Sequence, residues 1–280
     1  MNLLKIKEKG LQDIIKILEP VFQKVGINFY YLIGAAAKDI WYNKQGIISR
    51  KTNDIDLAIL VADVEQFQQL KTLLETNYHF NRVAGSEFTL VSNSGLTVDL
   101  LPFGNQVDIH DGRLVNGISL HNIKVNSFQE IAQSAVQEVE QEQGVFRIAT
   151  LPAIILLKLI AYDDRPEQRT KDAQDIAHII NVYFDIETNI FFDEHHDLLE
   201  RIDEGNHIIA ARVIGRLLRK PLSRNATLHQ RVINILENHI MNQRGNKFIE
   251  LMATTNHKTI EENIKILHEI LLGIQEHEAL

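Results

Sequence analysis

The chain has 280 residues, 45% hydrophobic and 24% charged, enough for one large domain or two modest ones with ample core. Its formal net charge is -8, so nucleic acid would gain no whole-surface attraction and any RNA or DNA contact needs a local patch. With no cysteine, disulfides, thiolate nucleophiles and cysteine-ligated zinc are excluded, which suits a reducing cytoplasm.

The opening stretch, MNLLKIKEKG, spreads lysines through what would have to be an apolar leader, so no signal peptide is expected. LQDIIKILEPVFQKVGI then places Leu11, Ile14, Ile15, Leu18 and Phe22 on one helical face, with room for a kink at Pro20. NFYYLIG reads as a short buried strand ending at Gly34, and AAAKDIWYN as the helix after it. A loop rich in Lys, Arg and Asn leads to KTNDIDLAIL, a strand headed by two aspartates. VEQFQQLKTLLETN is a helix with Val64, Phe67, Leu70, Leu73 and Leu74 on one side. SEFTLVSN and LTVDLLPFG flank a Ser-Gly turn and predict a hairpin.

From about Leu151 the pattern turns helical. LPAIILLKLIAYDD, RTKDAQDIAHIINVYF, GNHIIAARVIGRLLRK, LHQRVINILENHI and IEENIKILHEILLGI all carry helical periodicity. The greasiest of these is too short to span a bilayer and holds Lys158 near its middle, so no membrane partner is expected. The sequence therefore predicts an α+β protein. Residues 1–150 form a mixed sheet flanked by helices, and residues 151–280 form a helical domain.

The aspartates pose the chemical question. Alternate strand residues share a face, so Asp54 and Asp56 project together with Ile55 and Leu57 opposite. Asp99, in TVDLLPFG, falls on another strand; if that strand is a neighbour, three carboxylates reach one sheet edge. Such a set suits Mg²⁺ or Mn²⁺, which bind few carboxylates together with substrate phosphates and water. Gly34, at a strand-to-helix junction, lets backbone N–H groups approach a phosphate.

Three segments, LIGAAAKDI, RKTNDIDLAI and VDLLPFG, resemble the sheet motifs of the DNA polymerase beta-type nucleotidyltransferase superfamily. The most similar branch is the AbiEii/AbiGii-type toxin nucleotidyltransferases. LPAIILLKLIAYDDRPEQRTKDAQDIAHII is similar to that branch's helical motif, and the resemblance spans roughly residues 29–183. It implies a small-residue phosphate loop at Gly34, Ala35 and Ala36, with Ala36 standing where many members carry a hydroxyl. It implies a metal pair at Asp54 and Asp56, preceded by the branch's Arg50 and Thr52, and a third carboxylate at Asp99 that takes the acceptor's proton. Lys158 fits a triphosphate-contacting lysine, a role also suggested by its place on an apolar helix face, where an ammonium needs an anionic partner. Arg165 shares that face. Asp172 or Asp175 fits the final acidic motif, and a second account pairs both with Arg165 and Arg169 as salt bridges.

Between Arg212 and Arg231 lie six Lys or Arg and no acid. Arg212, Arg216 and Arg219 line one stripe, either a solvated face or a patch for a polyanion such as RNA. The HHD at 195–197 resembles a fragment of metal phosphohydrolase motifs but lacks a matching second element. The expected activity is transfer of an NMP from an NTP to a hydroxyl acceptor, with pyrophosphate released. A toxin role acting on RNA, opposed by a cognate antitoxin, follows from the resemblance alone. The alternatives are an antibiotic-type small-molecule adenylyltransferase and a non-catalytic nucleotide-binding module.

Overall fold

The computed structural model describes residues 4, 8–48, 52–110, 113–116, 123–141, 144–242 and 245–276. They divide into two compact units, Met1–Thr150 and Leu151–Leu280.

The first unit runs α1 (Lys9–Lys24), β1 (Tyr30–Ile33), α2 (Gly34–Asn43), β2 (Asp54–Leu60), α3 (Val64–Tyr78), β3 (Asn81–Arg82), β4 (Thr89–Val91) and β5 (Thr97–Phe103). It continues with β6 (Val107–His110), β7 (Arg113–Asn116), α4 (Ile123–Ser134), β8 (Val136–Gln141) and β9 (Gly144–Ala149). Seven strands form one mixed sheet in the order β3-β4-β5-β2-β1-β9-β8, while β6 and β7 pair separately. The predicted hairpin is present: β4 and β5 are antiparallel, with Gly95 at positive φ in the turn. β2 lies at the sheet's centre, antiparallel to β1 and parallel to β5. Its Ile55, Leu57, Ala58 and Ile59 are buried, as expected for a strand with neighbours on both edges and cover on both faces.

Local chemistry fixes the helices around this sheet. α1 buries Leu11, Ile14, Ile15, Leu18 and Phe22 as one stripe and runs through Pro20. Asp63 caps α3, its carboxylate accepting from the Gln66 N–H at 2.8 Å. The Trp41 indole donates to the Ala149 carbonyl at 2.9 Å, tying α2 to the end of β9.

The second unit comprises α5 (Leu151–Asp164), α6 (Thr170–Ile186), α7 (Thr188–Asp193), a 3-10 segment (His196–Glu204), α8 (Asn206–Leu222), α9 (Ala226–Met241), α10 (Lys247–Asn256) and α11 (Ile260–Gln275). α5 buries residues all round its circumference, including every one from Leu151 to Leu156. α8 and α11 meet backbone to backbone. A Cβ on Gly215 would sit 2.9 Å from the Gly273 Cα, and one on Gly273 would sit 2.9 Å from the Gly215 Cα. α11 starts with a complete capping box between Thr259 and Glu262.

Candidate active site

Strand register assembles the polar row. Ile33 on β1 pairs with Asp56 on β2, Asp56 with Asp99 on β5, and Asp99 with Thr89 on β4. Paired residues on neighbouring strands share a sheet face, so Asp56 and Asp99 stand side by side on the face that also carries Asp54. Asp54 is exposed at the start of β2, opposite Thr97. Two ionised carboxylates about 5 Å apart repel by about 3 kcal/mol at an effective dielectric near 20. That cost is a reason to expect a cation or a proton there when the site works.

Asp99 is held in place by hydroxyls. The Thr89 hydroxyl donates to Asp99 Oδ1 at 2.6 Å, and Ser86 Oγ lies 2.7 Å from Thr89 Oγ1. An ionised carboxylate only accepts, so the single Thr89 proton goes to Asp99 and the Ser86 hydroxyl donates to Thr89. Ser86 Oγ in turn accepts from the N–H groups of Phe88 and Thr89, at 3.3 and 3.2 Å. The relay leaves Asp99 Oδ2 without a hydrogen bond among the described residues.

Gly34 opens α2 at φ +67, in the left-handed region. A Cβ there would overlap the Asp56 carboxylate, lying 2.9 Å from its Cγ. The glycine thus does two things: it makes the strand-to-helix turn and it leaves room for Asp56 above the first turn of α2. The partial positive charge of that helix start favours the carboxylate beside it and any phosphate brought there. Ala36 is only 2% exposed, so its methyl belongs to the packed face and the hydroxyl missing there would have been buried in the core. Ala35 is half-buried. Thr52 Oγ1 accepts from the Asp54 N–H at 3.1 Å and shapes the entry to β2, whereas Arg50 lies outside the described residues.

The expected three-acid cluster is only partly met. The three aspartates share a face, but among the described residues no group of three or more His, Asp or Glu converges closely enough to hold a metal ion. The register gathers two, Asp56 and Asp99, with Asp54 further out. Hard carboxylate oxygens in this number fit Mg²⁺, which takes one or two carboxylates and completes its shell with phosphate and water.

In the helical unit, Lys158 is 12% exposed and meets Asp172 at 2.7 Å and Asp175 at 2.8 Å. Burial alone would lower its pKa, but the two carboxylates outweigh burial and raise it, so the ammonium stays charged. The account that paired these aspartates with Arg165 and Arg169 is met in part: Arg169 reaches Asp172 at 3.9 Å, while Lys158 binds both aspartates more closely. Arg165 sits just past the end of α5 and is exposed.

The arginine stripe also departs from both expectations. Arg212 binds Glu269 and Glu276; Arg216 binds Glu276 and Asp197; Arg219 donates to the Glu276 carbonyl at 2.8 Å. It is neither a solvated face nor a ready surface for a polyanion. Acids from α11 and the 3-10 segment, distant in sequence, fold onto it. The HHD segment joins this network: Asp197 pairs with Arg216, and His195 Nδ1 lies 3.4 Å from the same guanidinium. Burial, reinforced by Arg216, lowers the His195 pKa and keeps its imidazole neutral.

Thr89 and Ser86 are the residues that sequence reasoning missed. Their only prior signal was their place on the predicted hairpin strand facing Asp99.

Comparison with known proteins gives three results. No curated protein matches the chain. Among solved structures, the chain is similar to the antibiotic-resistance factor ANT(2'')-Ia, at 16% identity and a TM-score of 0.36, over 70% of this chain and 99% of that one. It is also similar to an antigenic nucleotidyltransferase-like protein from Paracoccidioides brasiliensis, at 19% identity and a TM-score of 0.36, over 68% and 90% of the two chains. A family model matches residues 29–234, well over half of the sequence, and by that match the chain belongs to the AbiEii nucleotidyl transferase toxin family of type IV toxin-antitoxin systems.

Proposed function

We propose that this nucleotidyltransferase works at the Asp54, Asp56 and Asp99 rim of the sheet, moving an NMP from an NTP to a hydroxyl and releasing pyrophosphate. The register that sets Asp56 beside Asp99, with a hydroxyl relay behind one and a glycine cleared for the other, is the observation that carries this reading. Asp54 and Asp56 would hold Mg²⁺ or Mn²⁺, which when bound supplies charge neutralisation at the phosphates. The α2 start at Gly34 and Ala35 offers N–H groups to the phosphate chain. Asp99 Oδ2, turned loose by the relay on Oδ1, accepts the proton of the acceptor hydroxyl as its oxygen attacks the α-phosphorus in line. Lys158, Arg165, Asp172 and Asp175 enter as triphosphate-side residues through the family likeness alone; within the helical unit the Lys158 ammonium is answered by Asp172 and Asp175.

Family membership supports RNA as acceptor, a cognate antitoxin as partner and the cytoplasm as the place of action. A second reading, a small hydroxyl-bearing acceptor, is favoured by the engaged arginines of α8, which leave a polyanion little to hold there. No helix of the described residues is long and apolar enough to cross a membrane. One assay decides: incubate the protein with each α-labelled NTP, Mg²⁺ or Mn²⁺, and either total RNA or an aminoglycoside panel. Label on RNA supports the first reading and label on the small molecules the second. NTP binding with no transfer to any acceptor overturns both in favour of a binding module.

A further inference from the structure

We propose that the sheet unit carries a second ligand site, at the end of the sheet away from the carboxylates, for an uncharged planar heterocycle of the nucleobase class. The inference is independent of the catalytic reading. β2 runs from Asp54 at the acidic end to Leu60, β5 from Thr97 to Phe103, and β1 runs the opposite way from Tyr30. Phe29, Leu60 and Phe103 therefore gather at the far end, with Leu60 about 13 Å along the strand from Asp56. A cavity of about 520 Å³ opens there, within the range that takes a small organic ligand.

Its lining has a definite chemistry. Phe29, Leu60, Phe103 and Ala132 supply the apolar part, and Leu60 is 40% exposed although its register partner on β5, Phe103, is buried. Around them stand the side-chain amides of Asn28, Asn105, Gln106 and Gln129. None of these four makes a side-chain hydrogen bond among the described residues. Gln66 is different: it accepts from the Ala62 N–H at 2.7 Å and donates to the Val25 carbonyl at 2.8 Å, and so builds the wall.

Among the described residues lining the cavity, none carries a charge. The Arg147 guanidinium lies over the Phe29 ring, 5.0 Å from its centroid, but is not itself part of the lining, so a triphosphate or an aminoglycoside would find no charged partner in the cavity wall. Each amide offers a donor beside an acceptor, the pattern that complements a base edge, and the aromatic and aliphatic lining suits a flat ring. A sugar without a ring face would leave that lining unused.

The test is ligand-observed NMR on the full chain with adenosine, guanosine, cytidine and uridine, each alone, and with glucose as a non-aromatic control. At least one nucleoside is expected to bind wild type while glucose does not. Gln129→Ala is expected to weaken binding by about tenfold and Leu60→Arg to abolish it, with Asp56→Asn unchanged. Should Leu60→Arg fail to fold, judged by its thermal melt, Gln129→Ala and the exposed Asn105→Ala carry the decision. No binding of any nucleoside, equal binding of glucose, or binding lost in Asp56→Asn but kept in the cavity variants would overturn the proposal.

Discussion

At the sheet rim, like charges are neighbours: Asp56 and Asp99 pair across two strands, backed by the neutral hydroxyls of Thr89 and Ser86. Between α8, α11 and the 3-10 segment, opposite charges are neighbours: Glu269, Glu276 and Asp197 each meet a guanidinium. The contact between the two acids is repulsive and the contacts of the second group are attractive. Like charges side by side call for a positive group or a proton near them; charges matched within a network do not. The proposed chemistry lies at the sheet rim, and the arginine row is architecture.

The comparison breaks most visibly at Asp56. Asp56→Asn is expected to cut label transfer by at least about a thousandfold, some 4 kcal/mol of barrier, while the thermal melt shows the fold retained. A melting temperature that falls with activity would make Asp56 structural. Next comes Glu269→Gln, which leaves Arg201 and Arg212 facing a neutral amide where a 6%-exposed carboxylate stood. Denaturant titration should show a loss of about 3 kcal/mol with transfer activity per folded molecule unchanged.

The same network predicts a pH dependence. Burial would raise the Glu269 and Glu276 pKa values, but bonds from Arg201, Arg212 and Arg216 outweigh it and lower both below the ordinary 4.5. Groups with a depressed folded pKa stabilise fully above the unfolded value and lose that contribution as pH falls through the folded one. Thermal melts should therefore be flat above about pH 5 and drop steeply below pH 4.5, with the drop reduced in Glu269→Gln.

Smaller effects sharpen the contrast. Thr89→Val should lower kcat by about tenfold with little change in the KM for NTP, since it frees the Asp99 carboxylate to rotate, and Thr89→Ser should restore most of the rate. Equal loss in the serine variant would assign Thr89 to packing alone. Smallest of all, Lys247→Ala removes an ion pair to Glu250 whose partners are 67% and 47% exposed. It should shift stability by no more than about 0.5 kcal/mol, showing that burial and not the number of pairs gives the Glu269 network its weight.

Local patterns made much of the fold readable. NFYYLIG, the hairpin around Gly95 and the periodic helices α3, α5, α6, α8, α9 and α11 carry their signals within a few residues. β6 to β9 and α10 went unread, because stretches such as VQEVEQ and KFIELMATTN are short and mix apolar with polar residues without a clean period. The site was half legible. Asp54, Asp56, Asp99 and Gly34 followed from order along the chain, but which strand lies beside which is a long-range fact, and it set the Asp56–Asp99 pairing and exposed Thr89. Long range also misled: the acids answering Arg212 and Arg216 lie 57 and 60 positions away at Glu269 and Glu276, beyond any local reading.

Gly215 and Gly273 leave α8 and α11 touching through their main chains, with no side chain between to yield. Two rods so joined cannot breathe apart by a rotamer change; they separate only when the whole unit comes undone. Amide protons flanking both glycines should accordingly be the last to exchange with deuterium, at a rate set by global unfolding, and they offer a direct gauge of the unit's total stability.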